Sequence, residues 1–445
     1  MKKILSATCA MMLASAGMMA NAQQLPNVGF ESWKTACGET YGMDDKTGYR
    51  QRPGVEPDGW NGSSVSQFVK PMSFFPAVNA KQELVFEDGE EGAKYAKLQN
   101  LFVGIEGLAG STAPGYLTLG TPWVYAEKNV NNCDGGTFGG VNNFTSKPDA
   151  IRGKFKRTDG NKDDNSYIIA YLWKGDFSSK IGSVDLKTSE NKSNVDRAIL
   201  GKVTPNEGSN GQLVAYCEHS FNSTPNNDWQ TIEVSLDYVK VDGKLVGDPT
   251  MMNVIISAGD YWNRGNLDPG TTLLVDDVDF VYYSTLNSLT AGEENVDLTV
   301  ATFNEEGVAT FQMESKIFPT AESVKYTAKS QFATVYVEVL KEQDLVKVTV
   351  SNQGGKDADG LTKHVYNLKY AAGTSGVESV AGDGVKVYAA AGCVVVEGAE
   401  GVAQVYTADG KQVAAEAVNG KTEIALANGL YIVRVGNKVQ KVVVK

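Results

Sequence analysis

Histidine is almost missing from this 445-residue chain, which has two, His219 and His364. A Ser–His–Asp or Cys–His device needs one imidazole poised beside a nucleophile; the two histidines lie in different expected domains, and His219, which follows Cys217-Glu218, is accompanied by no nucleophile-elbow sequence. Cysteine is also scarce. Of the five, Cys9 lies in the leader, and Cys37, Cys133, Cys217 and Cys393 share no short metal-ligand spacing, which argues against a zinc site. A Cys37–Cys133 or Cys133–Cys217 disulfide and burial as small hydrophobes stay open, while Cys393 stands alone and reads as a free thiol. Basic clusters are absent: 41 Lys and Arg stand against 53 Asp and Glu, for a net charge of −12. Such a chain cannot neutralise a phosphate backbone or an anionic lipid surface, so nucleic acid is excluded as a partner. The Gly-rich run Gly135–Gly140 precedes no helix and reads as a flexible turn rather than a phosphate cradle. Helical periodicity is nearly missing throughout.

One apolar run is long enough to matter, Ile4–Ala20, preceded by Lys2 and Lys3 and followed by Ala20-Asn21-Ala22. A charged start, an apolar stretch and small residues at −3 and −1 make residues 1–22 a secretory signal peptide, cleaved after Ala22. The competing membrane-anchor reading meets a run diluted by Ser, Thr, Gly and Ala. The expected location is secreted or on the outer cell surface.

What the sequence does contain is short Val-, Ile-, Tyr-, Phe- and Thr-rich runs broken by Gly, Asn, Asp, Pro and Ser clusters, the pattern of antiparallel sheets. Tyr167–Trp173, Gln230–Leu236, Met252–Ser257 and Thr272–Tyr283 are expected strands, as are Thr334–Leu340 and Leu345–Val350. All six tryptophans precede residue 265, and the composition shifts after Tyr283. These features predict an all-β chain: a large jelly-roll β-sandwich over 23–283, then two smaller immunoglobulin-like β-sandwich domains. The boundaries fall at 284–372 and 373–445, with Ala372–Gly376 as a linker.

Within the large domain, Tyr167, Ile169, Tyr171 and Trp173 share one face of a strand, and Ile168, Ala170 and Leu172 the other. The aromatic stripe is either a platform on which sugar rings stack or core, with the aliphatic face then covered by loops. Tyr261 and Trp262, in the polar loop Asp260–Asn266, combine a stacking ring with Arg, Asn and Asp. Trp123 is a weaker candidate of the same kind, whereas Trp33, Trp60 and Trp229 read as core. Glycoside hydrolysis needs only two carboxylates about 5–10 Å apart. Glu31, Asp176, Glu218, Asp260 and Asp276 are all conceivable, and nothing ranks them.

Three stretches carry a resemblance: Leu25–Trp33 with Pro57–Trp60, Gly139–Pro148 running into Ile151–Arg157, and Ser257–Asp260 with Gly270–Tyr282. Together they resemble the putative carbohydrate metabolism domain (PCMD) family and, more distantly, jelly-roll carbohydrate-binding modules. The resemblance implies a polysaccharide or oligosaccharide partner. Glu31 with Asp276 or Asp277 are strand-end carboxylates suited to a Ca²⁺ ion, structural in similar modules, or else they cap strands and face solvent. In the tail, Val405–Val413, Ile424–Val435 and the terminal Lys441–Lys445 resemble the sorting domain of type IX secretion substrates, which implies outer-membrane secretion or surface components as partners. The leading expectation is a glycan-binding protein, with a glycoside hydrolase or lyase and a structural or adhesive surface protein as alternatives.

Overall fold

The computed structural model describes residues 22–36, 54–70, 83–105, 109–125, 134–158, 163–179, 192–371, 385–390, 392–436 and 438–445. Residues 1–21 of the expected signal peptide, Cys9, Cys37, Cys133 and the expected linker lie outside the described residues. Cys217 and Cys393 carry free thiols, so the Cys133–Cys217 pairing is not formed.

The chain is all-β, built largely from antiparallel sheets. Its main body is a sandwich of two. One sheet runs in the order Asp237–Tyr238, Gln212–Phe221, Ser166–Lys174, Met251–Ser257, Tyr116–Thr118, Asn61–Gly62, with Val141–Asn142 also paired to Met251–Ser257. The facing sheet runs Gln230–Ser235, Ala150–Arg157, Thr272–Val281, Ala93–Gln99, Val85–Glu90. Period-two alternation turns Ile168, Ala170, Leu172, Val254 and Ile256 of the first sheet onto Ile151, Phe155, Val275 and Phe280 of the second, all buried. Each large side chain so buried is worth about 1.5–3 kcal/mol.

The chain start lies beside Val275–Val278 of this sandwich as irregular backbone. Val278 donates its N–H to the Val28 carbonyl at 3.0 Å, and the Leu25 N–H reaches Asp279 Oδ1 at 3.1 Å. The strand Trp33–Ala36 pairs instead with Gly54–Pro57. The cause is a tight turn, with Phe30 at φ 51° and its N–H on the Asn27 carbonyl. That turn drops the Phe30 ring into the core 5.7 Å from Trp60. The closing strand Thr272–Val281 carries a β-bulge: Arg152 faces Asp279 while Lys154 faces Asp276, so one extra residue sits on the Asp276–Asp277 side, with Asp277 at φ 49°.

The chain divides into two compact units, residues 1–311, 319–339 and 347–367, and residues 312–318, 340–346 and 368–445. Within the first unit, residues beyond 284 dock closely on the sandwich. Asn352 Nδ2 donates to the Tyr282 carbonyl at 2.6 Å, and Arg152 Nη1 donates to the Ala358 carbonyl at 2.9 Å. In the second unit, Cys393–Thr407 pairs along its length with Gln412–Ala425 and also with Gly429–Val435, which Lys438–Val444 extends. The turn between the first two of these strands is made by Asp409 and Gly410, with Gly410 at φ 86° and its N–H on the Thr407 carbonyl at 2.9 Å.

Candidate functional site

The strand Ser166–Lys174 decides where a ligand can meet the large sandwich, because it is buried on both faces. Its aliphatic side fills the core. Its aromatic side was the proposed sugar platform, and the structure corrects that: Tyr171 and Trp173 are wholly buried, 5.4 Å apart between ring centres. Trp123, Val195, Ala198, Ile199 and Ile255 pack over them as a second apolar cluster. Their polar atoms are spent internally. Asn253 Nδ2 donates to Tyr171 Oη at 2.8 Å, and Trp173 Nε1 donates to Asn194 Oδ1 at 3.0 Å. The aliphatic face is therefore not loop-covered, and the aromatic face is not open; a second layer lies outside the sheet.

That outer layer encloses a cavity of about 440 Å³, within the usual range for small-ligand sites. Trp262 is half-buried at its wall, while Tyr261 and Trp123 contribute from buried positions. Thus three of the five expected ligand-binding aromatics, Trp123, Tyr261 and Trp262, do converge, though only Trp262 offers substantial open surface.

The loop bearing Trp262 is held rigidly. Asp164, fully buried, accepts the N–H of Asp260 at 3.1 Å, the N–H of Asp268 at 3.0 Å and the Asn100 amide at 3.0 Å. Asp260 in turn accepts the N–H groups of Trp262 and Asn263, both at 3.0 Å, and the Asn266 amide at 2.8 Å. Asp260, one of the conceivable catalytic acids, is thus an internal clamp. Tyr261 packs edge-on against Tyr116 and Trp262, at 5.3 and 4.8 Å. Its hydroxyl donates to Asp196 at 2.7 Å. Burial raises the pKa of Asp196, opposed by Arg197 and by this hydrogen bond. Burial also holds the Tyr261 hydroxyl well above its ordinary pKa, so it stays a donor.

Two indole N–H groups at the wall, Trp123 Nε1 and Trp262 Nε1, are buried without an acceptor. An orphaned buried donor of this kind costs about 1–3 kcal/mol. Gly136 makes room beside the first: a Cβ there would lie 3.3 Å from Trp123 Nε1 and 3.0 Å from an Asp196 oxygen. The Gly-rich run expected to be a flexible turn is therefore partly strand, Asp134–Phe138 paired with Thr121–Tyr125, and its glycine serves close packing. Arg197 and Arg264 bring positive charge to the cavity, and Ser63, Ser66 and Ser111 bring hydroxyls. Among its described lining residues there is no Asp or Glu. Lys202 sits 4.1 Å above the Trp262 ring, covering one face of the indole.

The remaining candidates resolve differently. Glu31, Asp276 and Asp277 are neighbours, as anticipated. Burial raises the Asp276 pKa, with the charges of Asp277 and Glu31 adding to it. Their oxygens nonetheless do not converge as a Ca²⁺ shell needs. Glu31 accepts the Lys94 N–H at 3.1 Å, Asp276 accepts the Asp277 N–H at 2.8 Å, and Asp277 pairs with Lys154 at 2.6 Å. They shape and neutralise the β-bulge. Among the described residues, the set of three whose ligand atoms lie within 4.8 Å of one another is Asp357, Asp359 and His364.

His364 also meets a serine, which no sequence signal announced. Ser284 Oγ lies 2.9 Å from His364 Nδ1 and donates to Asp357 at 2.9 Å, with all three side chains buried. This is not a nucleophile-activating triad, because serine and aspartate both address Nδ1, whereas activation needs them on opposite ring nitrogens. Trp60 is core, as expected; Trp33 is only half-buried. Trp229, expected in the core, is instead half-exposed and packs edge-on against Tyr95 at 5.5 Å. Glu218 accepts the Tyr216 hydroxyl at 2.5 Å, and Asp176 is exposed.

No protein-family model matches the chain, and no curated protein sequence does. Among solved structures, it is similar to a putative glycoside hydrolase from Bacteroides thetaiotaomicron at 14% identity and TM-score 0.32, over 55% of this chain and 71% of that one. A putative glycoside hydrolase from Bacteroides vulgatus aligns at 15% identity and TM-score 0.33, over 57% and 96%. The adhesin domain of Epf from Streptococcus pyogenes aligns over 82% of each chain, at 8% identity and TM-score 0.17. At these scores the likeness carries no argument about activity.

Proposed function

We propose that this chain is an exported or cell-surface carbohydrate-binding protein of a polysaccharide-handling system, and that the cavity beneath Trp262 holds the glycan. The observation that carries the reading is one half-buried indole, fixed on a clamped loop, over a wall with hydroxyls and two unsatisfied indole N–H donors. Sugars present C–H faces to aromatic rings and oxygens to buried donors, so one ligand class uses both features. The rigid loop limits the ordering entropy that binding costs.

Hydrolysis is not adopted, since a paired-carboxylate device needs two acids at the wall, and none stands among its described lining residues. The tail, which resembles type IX sorting domains at Lys441–Lys445, would serve secretion or surface attachment.

The test is calorimetric titration and melting of the purified full chain against a panel of neutral and acidic oligosaccharides. At least one oligosaccharide is expected to bind and raise Tm, Trp262→Ala to weaken binding at least about tenfold, and no reducing ends to be released. A panel that leaves Tm unmoved throughout overturns the proposal.

A further inference from the structure

A run of side-chain contacts leads away from the cavity beneath Trp262 to a second hollow. Lys202 Nζ lies 4.1 Å above the Trp262 ring and 3.8 Å from Glu218 Oε2, and Glu218 accepts the Tyr216 hydroxyl at 2.5 Å. Tyr216 and Glu218 line that second hollow, of about 420 Å³, together with Ser220, Ser235 and Asp237. Alternation along Gln212–Phe221 puts Tyr216, Glu218 and Ser220 on one face of the strand. Tyr216 stands opposite Asp237 on the neighbouring strand.

Aromatic rings mark the route. Tyr167 and Tyr216 are half-buried, like Trp262, and all three pack on the same outer apolar cluster. Tyr167 lies between the two regions: burial raises its pKa first, then the charges of Asp260, in the Trp262 loop, and of Glu218. The polar groups change character along the way. The described wall of the cavity has no carboxylate, whereas the second hollow has two, Glu218 and Asp237. Glu218 already meets Tyr216 and Lys202, but an ionised carboxylate offers about four lone-pair sites, and its pair with Lys202 is partly exposed on both sides. Sugar hydroxyls donate as well as accept, so a chain of sugars can answer both walls. Each hollow has the size of a small-ligand site, too much space in total for one ring.

From this arrangement we infer that the protein binds a run of several sugar units within a glycan chain. One unit occupies the Trp262 cavity, and the following units pass over Lys202 and Tyr167 to Tyr216 and the carboxylates of Glu218 and Asp237. The inference rests on the glycan-binding reading above and adds a second contact region to it. The two regions reinforce each other: once the first is occupied, the second contact is intramolecular, at a local concentration set by the short stretch of chain between them.

Chain length tests it on the full-length protein. Cello-, xylo-, manno- and galacturono-oligosaccharides are titrated calorimetrically, each as a disaccharide and as a hexasaccharide, and any binder from the wider panel is taken at the same two lengths. In a series that binds, the hexasaccharide is expected to bind at least about tenfold more tightly than the disaccharide, beyond the few-fold gain that extra binding registers give. Tyr216→Ala and Asp237→Ala are each expected to remove most of that gain, whereas Trp262→Ala weakens both lengths. Asp237 is exposed, so its variant decides should Tyr216→Ala lower Tm through the apolar cluster.

Equal affinity for the two lengths, or a length gain that survives in Asp237→Ala, overturns the second region and leaves glycan binding standing. Failure of every oligosaccharide at both lengths removes both. Reducing ends released from a hexasaccharide, and lost in Asp237→Ala, would make the second hollow catalytic and overturn its assignment as a binding surface.

Discussion

Tyr261 donates its hydroxyl hydrogen to Asp196 at 2.7 Å, and this one bond ties the loop that carries Trp262 to the helical turn that carries Arg197. Both partners are buried, so the carboxylate cannot recruit water if the donor is lost. Tyr261→Phe is therefore expected to lower stability by about 1.5–3 kcal/mol in urea denaturation, the range for a hydrogen bond to a charged group. Asp196→Asn, which keeps an acceptor for Tyr261 and removes the buried charge, is expected to cost less. A Tyr261→Phe loss within about 0.5 kcal/mol of zero, the level of an inert surface change, would show that the bond does not organise the cavity.

Trp262 and Trp173 should separate binding from folding. Trp173 is fully enclosed in the second apolar cluster, and truncation to Ala leaves a large void; a loss of about 3–5 kcal/mol is expected. Trp262 rests partly open against the same cluster, so Trp262→Ala should cost much less stability while carrying the larger loss of glycan affinity. Denaturation curves and titrations on both variants decide it. Trp173→Ala folding normally but losing all glycan binding would restore the buried stripe as the platform.

The contrast between these tryptophans marks how far the sequence was legible. Fold class followed from period-two runs and turn residues, and Ser166–Lys174 was found almost to the residue because its alternation is unbroken. What alternation cannot reveal is whether a second layer covers the outer face of a sheet. That layer comes from segments with weak local signals. Asp196–Ile199 is a single helical turn, too short for a 3.6-residue period to register, and Trp123 lies on a five-residue strand. Arg264 and Trp262 were visible together in one polar loop, but Arg197, Ser63 and Tyr116 reach the cavity only through long-range folding. The Asp276–Asp277 doublet read as a metal ligand pair because sequence shows acids and not the bulge that places Asp277 in the left-handed region.

Two carboxylates should leave a signature in the pH dependence of stability. Burial raises Asp149 from 3.8 to about 6, against hydrogen bonds from Ser330 and the Tyr283 N–H. Burial likewise raises Asp279 from 3.8 to about 6, against the N–H groups of Leu25 and Phe280. Between these values the unfolded chain has released the proton and the folded chain still holds it. The unfolded state thus binds fewer protons, and the contribution of each group falls as pH rises through that window. Asp149→Asn and Asp279→Asn, which stay neutral, are each expected to flatten the decline of Tm between about pH 4 and pH 6. A wild-type profile and variant profiles that run parallel across that interval would exclude titration of these groups.

The β-bulge at Asp277 gives the last test, because it separates a structural role for the acidic doublet from a metal-binding one. Asp277 adopts φ 49°, where glycine carries no steric cost. Its ion pair with Lys154 is half-exposed on both sides and is worth about 0–1 kcal/mol. Asp277→Gly should therefore gain in backbone freedom about what it loses in charge pairing, leaving stability within about 1 kcal/mol of the parent. Gly153 lies on the facing strand between the residues that flank the bulge, and a Cβ there would sit 2.9 Å from the Phe155 ring and 3.0 Å from Val278. Gly153→Ala should cost about 1–3 kcal/mol by overpacking. Because the oxygens of Glu31, Asp276 and Asp277 address Lys94, the bulge backbone and Lys154 rather than one point, CaCl₂ and EDTA should leave Tm equal in the parent and in Asp277→Gly. A Ca²⁺-dependent rise in Tm that Asp277→Gly abolishes would instead require these acids to swing inward onto a shared ion, and would overturn the bulge as their reason for being there.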